Sequence, residues 1–286
     1  MPDPDRLLRT LYKAADAVRQ TPGRKGRFVQ IHDVEEVLVA GDLHGHLGNF
    51  QAVYKLADLA NHPRRHLVLQ EAIHGKTRYP GGGDKSHQLV DLFAALKCQL
   101  PRQVHLLMGN HELAQWTNRM IIKDEKDLNA LFREGVTEAY GAEKAPQIYD
   151  AYLRLFGLLP LGLRTPNRVF ISHSLPREKA VDRFELRHLE TDSFPAEDLT
   201  LGGSVYELVW GRDTRAETCA AFLKKVDCDW LVSGHVACEG GYANPNPRQI
   251  ILDCCDNPAA YALLPADRPL TAEEFTGSVR VLEPVG

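Results

Sequence analysis

The feature that most constrains this chain is a repeated change of period. Short apolar runs rich in β-branched residues stop at a glycine or a polar loop, and a segment with apolar residues at helical spacing follows. Val37 to Ala40 stops at Gly41, and Leu47 to Ala60 then carries Phe50, Val53, Tyr54, Leu56 and Ala57 at helical spacing. Leu67 to Leu69 reads as a strand, Gln88 to Leu100 as a helix, and Val104 to Met108 as a strand ending at Gly109. That succession is the pattern of an α/β protein. Farther on, Val169 to Ser172, Leu231 to Ser233, Gln249 to Asp253 and Ala259 to Leu264 read as strands with few long helices between them, which predicts a second sheet. A charged, helical stretch with Leu128, Leu131, Phe132, Ile148, Tyr152 and Leu153 on its apolar faces predicts a helical insert over 123–157. Glu190 to Gly203 has no periodicity and is long for a plain connection, as expected of a loop with a task.

The 286 residues suffice for a full core, and the expectation is a single domain over 1–286 whose first 24 residues form an amphipathic helix on Leu7, Leu8, Leu11 and Ala14. Such a helix is not a secretory signal. With 34 Lys plus Arg against 38 Asp plus Glu, the net charge is -4 and no basic stripe occurs, so binding to nucleic-acid polymers or to an anionic membrane is not expected. The longest apolar run, Leu155 to Leu163, contains Gly and Pro, falls far short of the roughly 18 residues of a membrane span, and reads as buried connection and strand. The six cysteines form no CxxC pair, so reduced thiols and a cytoplasmic location are expected, with Cys254 and Cys255 as packing residues.

Residue types that bind metal ions recur where predicted strands stop. In Gly41-Asp42-Leu43-His44-Gly45, alternate residues of an extended segment point the same way, so Asp42 and His44 can reach one cation while the glycines let the backbone turn. Gly81-Gly82-Gly83-Asp84 again puts a carboxylate after flexible backbone. Gly109-Asn110-His111-Glu112 follows a strand and opens a helix: Asn offers a neutral oxygen ligand, His a proton donor, and Glu112 suits the first helical turn. His173 follows Val169 to Ser172, and His235 follows Ser233-Gly234.

In this order and spacing the chain resembles the calcineurin-like metallophosphoesterases. Asn110-His111-Glu112, the Leu208-Val209-Trp210 run and Gly234 to Tyr242 are most similar to the serine/threonine phosphoprotein phosphatase branch. The resemblance implies a four-layer α/β/β/α sandwich of two facing mixed sheets, with the site at the strands' C-terminal edge. It also implies two metal ions: Asp42 and His44 at the first, Asp84 bridging, and Asn110, His173 and His235 completing the pair. Manganese, iron or zinc would suit such ligands. A phosphorylated protein or small phosphomonoester would be hydrolysed by a metal-bridging hydroxide, with His111 protonating the leaving oxygen.

This branch normally follows its bridging carboxylate with an Asp-Arg pair and carries Arg before Gly-Asn-His-Glu. Counted from Asp84, the pair is replaced by His87 and Gln88, and the Arg by Met108. Phosphate must then be gripped otherwise: Arg212, able to bind bidentately, is the first candidate and Lys85 the second. His87 either orients His111 or stands by. His46, His66, His74 and His188 are read as non-ligands, Trp210 as core, and Lys123 to Lys126 as a solvated face. The missing pair keeps two other readings open: hydrolysis of a dinucleoside tetraphosphate, and a metal-holding scaffold that binds phosphorylated partners without turnover.

Overall fold

The computed structural model describes residues 3–283. Two mixed sheets face each other. One runs Val279–Val281, Ala260–Pro265, Glu36–Asp42, Arg65–Gln70, Val104–Leu107, the last three parallel. The other runs Arg24–Lys25, Phe28–Gln30, Gly162–Arg164, Val169–Ser172, Trp230–Ser233, Gln249–Leu252, Tyr242–Asn246.

Alternation along the strands explains the layers. Val37, Val39, Val68, Leu107 and Ala262 point inward and meet Val169, Ile171, Val232 and Ile250 of the other sheet. Leu38, Ala40, Leu67, Leu69 and Leu106 point outward into a core shared with Leu7 and Leu11 of the N-terminal helix, Phe50, Phe93 and Phe132. On the far face, Phe170 packs edge-on against Phe222 of the Ala216–Lys225 helix at 5.5 Å. The central strands are therefore buried on both faces, which is why they read as unbroken apolar runs. The fold is the expected four-layer α/β/β/α sandwich.

The N-terminal helix spans Pro4–Arg19, ending before the strand at Arg24 and Lys25; Met1 and Pro2 lie outside the described residues. The insert begins with a hairpin, Ile122–Lys123 against Lys126–Asp127, before the helix Leu128–Phe156. Val205 to Trp210 lies in a helix, Ser204–Trp210, and Trp210 is half-buried, edge-on to His235, rather than core. Among the described residues no helix is long and apolar enough to cross a membrane.

At the opposite edge of the first sheet, buried His66 and His105 stack with Nδ1 of one 3.0 Å from Nε2 of the other. Burial holds His66 down at about 4 and His105 well below its ordinary value. The unfolded chain binds these protons near pH 6.5 and the native fold refuses them, so stability falls as pH drops from about 6.5 towards 4. For His66 this is about 3 kcal/mol. A His66→Phe/His105→Phe variant should show a smaller loss of urea midpoint between pH 7.5 and 4.5 than the parent; equal losses would refute the assignment.

Candidate metal centre

Strands Glu36–Asp42, Arg65–Gln70, Val104–Leu107, Val169–Ser172 and Trp230–Ser233 all end at one edge, where their loops converge. An isolated parallel bridge between Asp42 and Asp253 ties the two sheets there. Gly41 is extended rather than turned: a Cβ on it would lie 2.0 Å from the Leu252 carbonyl oxygen, so its glycine serves close approach of the sheets. Gly45 does turn, with φ 70°, and side-chain-bearing residues share the turns, with positive φ at His44 (41°), Glu71 (41°), His74 (63°) and His235 (66°). Strain of this kind collects at functional sites, where the surrounding fold enforces it.

Glu71 is the centre of the arrangement. It directly follows the Arg65–Gln70 strand, is 1% exposed, and its Oε2 lies 3.4 Å from His44 Nε2 and 3.4 Å from His173 Nε2. Its Oε1 accepts from the His111 backbone N–H at 2.8 Å. Two triads that could hold metal ions share it: His44, Glu71, His111 and Glu71, His173, His235, each with ligand atoms within 4.8 Å of one another. His44 donates from Nδ1 to the Ile73 carbonyl at 2.8 Å, which turns the Nε2 lone pair toward Glu71. Asp42 accepts the His235 backbone N–H on both oxygens, at 3.1 and 3.0 Å, and its Oδ1 is 3.6 Å from His173 Nδ1. Asn110 Oδ1 is 2.9 Å from His173 Nε2. The structure thus brings together Asp42, His44, Asn110, His111, His173 and His235.

Asp84 does not join them. Its carboxylate accepts from the Ser86 backbone N–H and hydroxyl, both at 2.9 Å, and faces Arg78 at 3.0 Å, pinning the 74–86 loop. The place between the two triads is taken by Glu71 because a strand end delivers it, whereas Asp84 lies far along the loop beyond. The same shift corrects the departures, since the residues three and four beyond Glu71 are His74 and Gly75. His87 is a bystander, buried between Tyr79, at 2.9 Å, and Asp91, at 3.4 Å.

His74, read as a non-ligand, is the residue that holds the His111 ring. Its Nδ1 lies 2.7 Å from His111 Nδ1, and its Nε2 lies 2.8 Å from Gln115 Oε1. Gln115 Nε2 donates to the Asn129 carbonyl at 3.4 Å and contacts the Tyr149 hydroxyl at 2.7 Å, so the network aims its oxygen at His74. His74 therefore carries its proton on Nε2 and accepts from His111 Nδ1–H, which fixes the His111 ring and leaves its Nε2 outside this network; burial and the neighbouring histidines hold His111 well below its ordinary value. Glu112 accepts from the backbone N–H groups of Ala72, Ile73 and Gly109, at 2.8, 3.2 and 3.0 Å, and so locks the loop that carries Glu71 and His74.

Exposed Arg212 lines a cleft with Trp210 and Arg215, and its charge helps hold His173 and His235 below their ordinary values, after burial. Lys85 lies 4.9 Å over the Tyr79 ring and shares a cleft of about 240 Å³ with Gly45, His46 and Thr77 rather than with the cluster. Lys85 therefore does not join the set.

The donor set fits cations. Burial pushes Asp42 up to about 7, with the nearby Asp253 charge adding to it, and raises Glu71 well above the carboxylate range together with Asp42 and Glu112. Positive charge between them would reverse those shifts. His173 Nδ1 and His235 Nε2 are buried with no hydrogen-bond partner, as expected of ligand atoms.

Two facing mixed sheets with a carboxylate shared between two histidine-bearing triads at their common edge define a metallophosphoesterase-type architecture. The chain belongs to the calcineurin-like phosphoesterase family, whose profile matches residues 36–239. It is 27% identical over 221 residues to a probable serine/threonine-protein phosphatase of Encephalitozoon cuniculi, covering 72% of this chain and 44% of that one. It is 23% identical over 226 residues to serine/threonine-protein phosphatase 5 of Arabidopsis thaliana, covering 73% and 37%. The chain thus spans less than half the length of these two relatives. A protein serine/threonine phosphatase from Saccharomyces cerevisiae has the same fold, with a TM-score of 0.70 at 17% identity over 100% of this chain and 91% of that one. A cold-active protein-tyrosine phosphatase of a Shewanella species reaches 0.60 at 14% identity over 93% and 84%.

Proposed function

We propose that this chain hydrolyses phosphomonoesters, a phosphoserine- or phosphothreonine-bearing protein or a small phosphoester, with two divalent cations held by Asp42, His44, Glu71, Asn110, His173 and His235. The single observation that carries this reading is Glu71, shared by the two ligand triads. Bound there, a metal pair would polarise the phosphate and make water a stronger nucleophile at neutral pH. Asp, Glu, Asn and His donors suit Mn²⁺, iron or Zn²⁺, and Mn²⁺ is the metal proposed.

The chain's own residues supply the rest. Arg212, standing beside the histidine pair, presents a planar guanidinium to phosphate oxygens and screens their charge. His111 would take up a second proton at Nε2 from water when the phosphate dianion is bound beside it and pass that proton to the leaving oxygen, while His74, accepting from Nδ1–H, fixes the ring for that delivery. Proton delivery matters most when the leaving group is a serine alkoxide, a strong base, and least for a nitrophenolate.

The test is metal analysis of the purified full chain with Mn²⁺-supplemented assays on para-nitrophenyl phosphate, a phosphoserine peptide and diadenosine tetraphosphate. Two metals per chain, loss of turnover on chelation, recovery with Mn²⁺ and preference for the peptide are expected. Preference for the dinucleotide would transfer the substrate assignment to phosphoanhydrides. Metal without turnover of any of the three would make the chain a phospho-binding scaffold, and no metal would end the proposal.

A further inference from the structure

Beside Glu71 stands Gln70, to which neither the motif pattern nor the proposed reaction gives a task. It is fully buried, and neither its Oε1 nor its Nε2 has a hydrogen-bond partner, although every amide hydrogen-bonded to water in the unfolded chain loses that water on burial. Evolving an apolar side chain here would remove that cost. The place is specific: Gln70 pairs in register with Asp42 across the parallel strands. A Cβ on Gly234 would lie 2.3 Å from Asp42 Oδ1 and 3.0 Å from Gln70 Oε1, so the two oxygens approach one point beside the loop that carries His235. Only glycine at 234 leaves that space open. His235 Nε2 and His173 Nδ1 are likewise buried and unpaired. Gln70 Oε1, His235 Nε2 and His173 Nδ1 are three lone-pair atoms in one buried neighbourhood, and they fit a shared cation better than three separate losses.

We propose that Gln70 belongs to the metal site, where its carboxamide oxygen is a neutral donor on the Asp42 side of the pair. This rests on the metal-binding reading above and deepens it. A neutral oxygen suits the site: Asp42 and Glu71 already crowd two carboxylates there, so a further donor without charge adds coordination and no repulsion.

The test is Mn²⁺ titration of metal-stripped full-length protein, following bound Mn²⁺ by calorimetry and by loss of the free-ion EPR signal, alongside the melting temperature of the metal-free protein. Gln70→Met keeps length and removes the oxygen; it is expected to weaken one Mn²⁺ equilibrium by about 10-fold or more while leaving the metal-free melting temperature unchanged or raised. Gln70→Glu restores an oxygen and is expected to bind Mn²⁺ at least as tightly as the parent. Unchanged Mn²⁺ affinity in Gln70→Met, whatever its melting temperature, would overturn the proposal, as would Gln70→Glu binding more weakly than the parent. If Gln70→Met fails to fold, Gln70→Glu decides alone. A parent that binds no Mn²⁺ would instead defeat the metal-binding reading, which separates the two failures.

Discussion

Glu71→Gln is expected to lose phosphatase turnover by about 10³-fold or more and to bind less than two Mn²⁺ per chain, while Asp84→Asn keeps both metals and most of the activity. The size follows from the several kcal/mol that a metal pair contributes to charge stabilisation during displacement, at 1.36 kcal/mol per tenfold in rate. Glu71 Oε2 is within 3.4 Å of ligand nitrogens from both triads, so converting one oxygen to an amide NH₂ removes charge from both sides of the pair and points a donor at cations. Asp84 faces Ser86 and Arg78 instead, and its amide variant should cost about 1–3 kcal/mol of stability through those bonds. Metal stoichiometry, steady-state rates and urea midpoints of the two variants separate the roles. Equal loss of metal in Asp84→Asn would return the bridging role to Asp84.

His74→Ala should slow a phosphoserine peptide by about 10²-fold, and para-nitrophenyl phosphate by much less. His74 is not itself a member of either triad; it acts by holding His111 at 2.7 Å and is held in turn by Gln115 at 2.8 Å. Without it the His111 ring rotates and Nε2 no longer meets the leaving oxygen, a defect that matters in proportion to the leaving group's basicity. His74→Asp, which offers a carboxylate acceptor to the same Nδ1–H and matches the acid that the branch normally carries there, should recover the peptide rate. A plot of rate against leaving-group pKa reads the difference: a steeper slope in His74→Ala than in the parent is expected. Parallel slopes would reduce His74 to a packing residue.

Glu71 and His74 carry no motif signal, whereas their neighbours at other strand ends do. The residues that strand ends deliver were legible: Asp42, His44, Asn110, His173 and His235 each follow a run whose burial on both faces makes it read as an unbroken apolar stretch. Val169–Ser172 is a strand with the bounds that its apolar run marks. A glycine-acid pair marks such a carboxylate in the motif, and this chain supplies one at Gly83-Asp84, but the strand ending at Gln70 is followed by Glu71, giving Gln-Glu instead. The signal that Glu71 does carry is its position directly after a strand, which it shares with His173. Edge strands such as Arg24–Lys25 and Tyr242–Asn246 carry no periodic apolar signal and are defined by the strand beside them.

By itself the sequence determined the layer type, the order of the elements and which loops carry polar ligand types, because apolar periodicity and strand ends are local properties of the chain. Tertiary structure decided which acid lies between the two histidine pairs, which histidine holds His111, and that Lys85 stands apart. Those are matters of distance between loops from different strands. Backbone in the left-handed region at Glu71 and His74, clamped by Glu112 through three backbone N–H groups, sets those distances. No spacing along the chain encodes them.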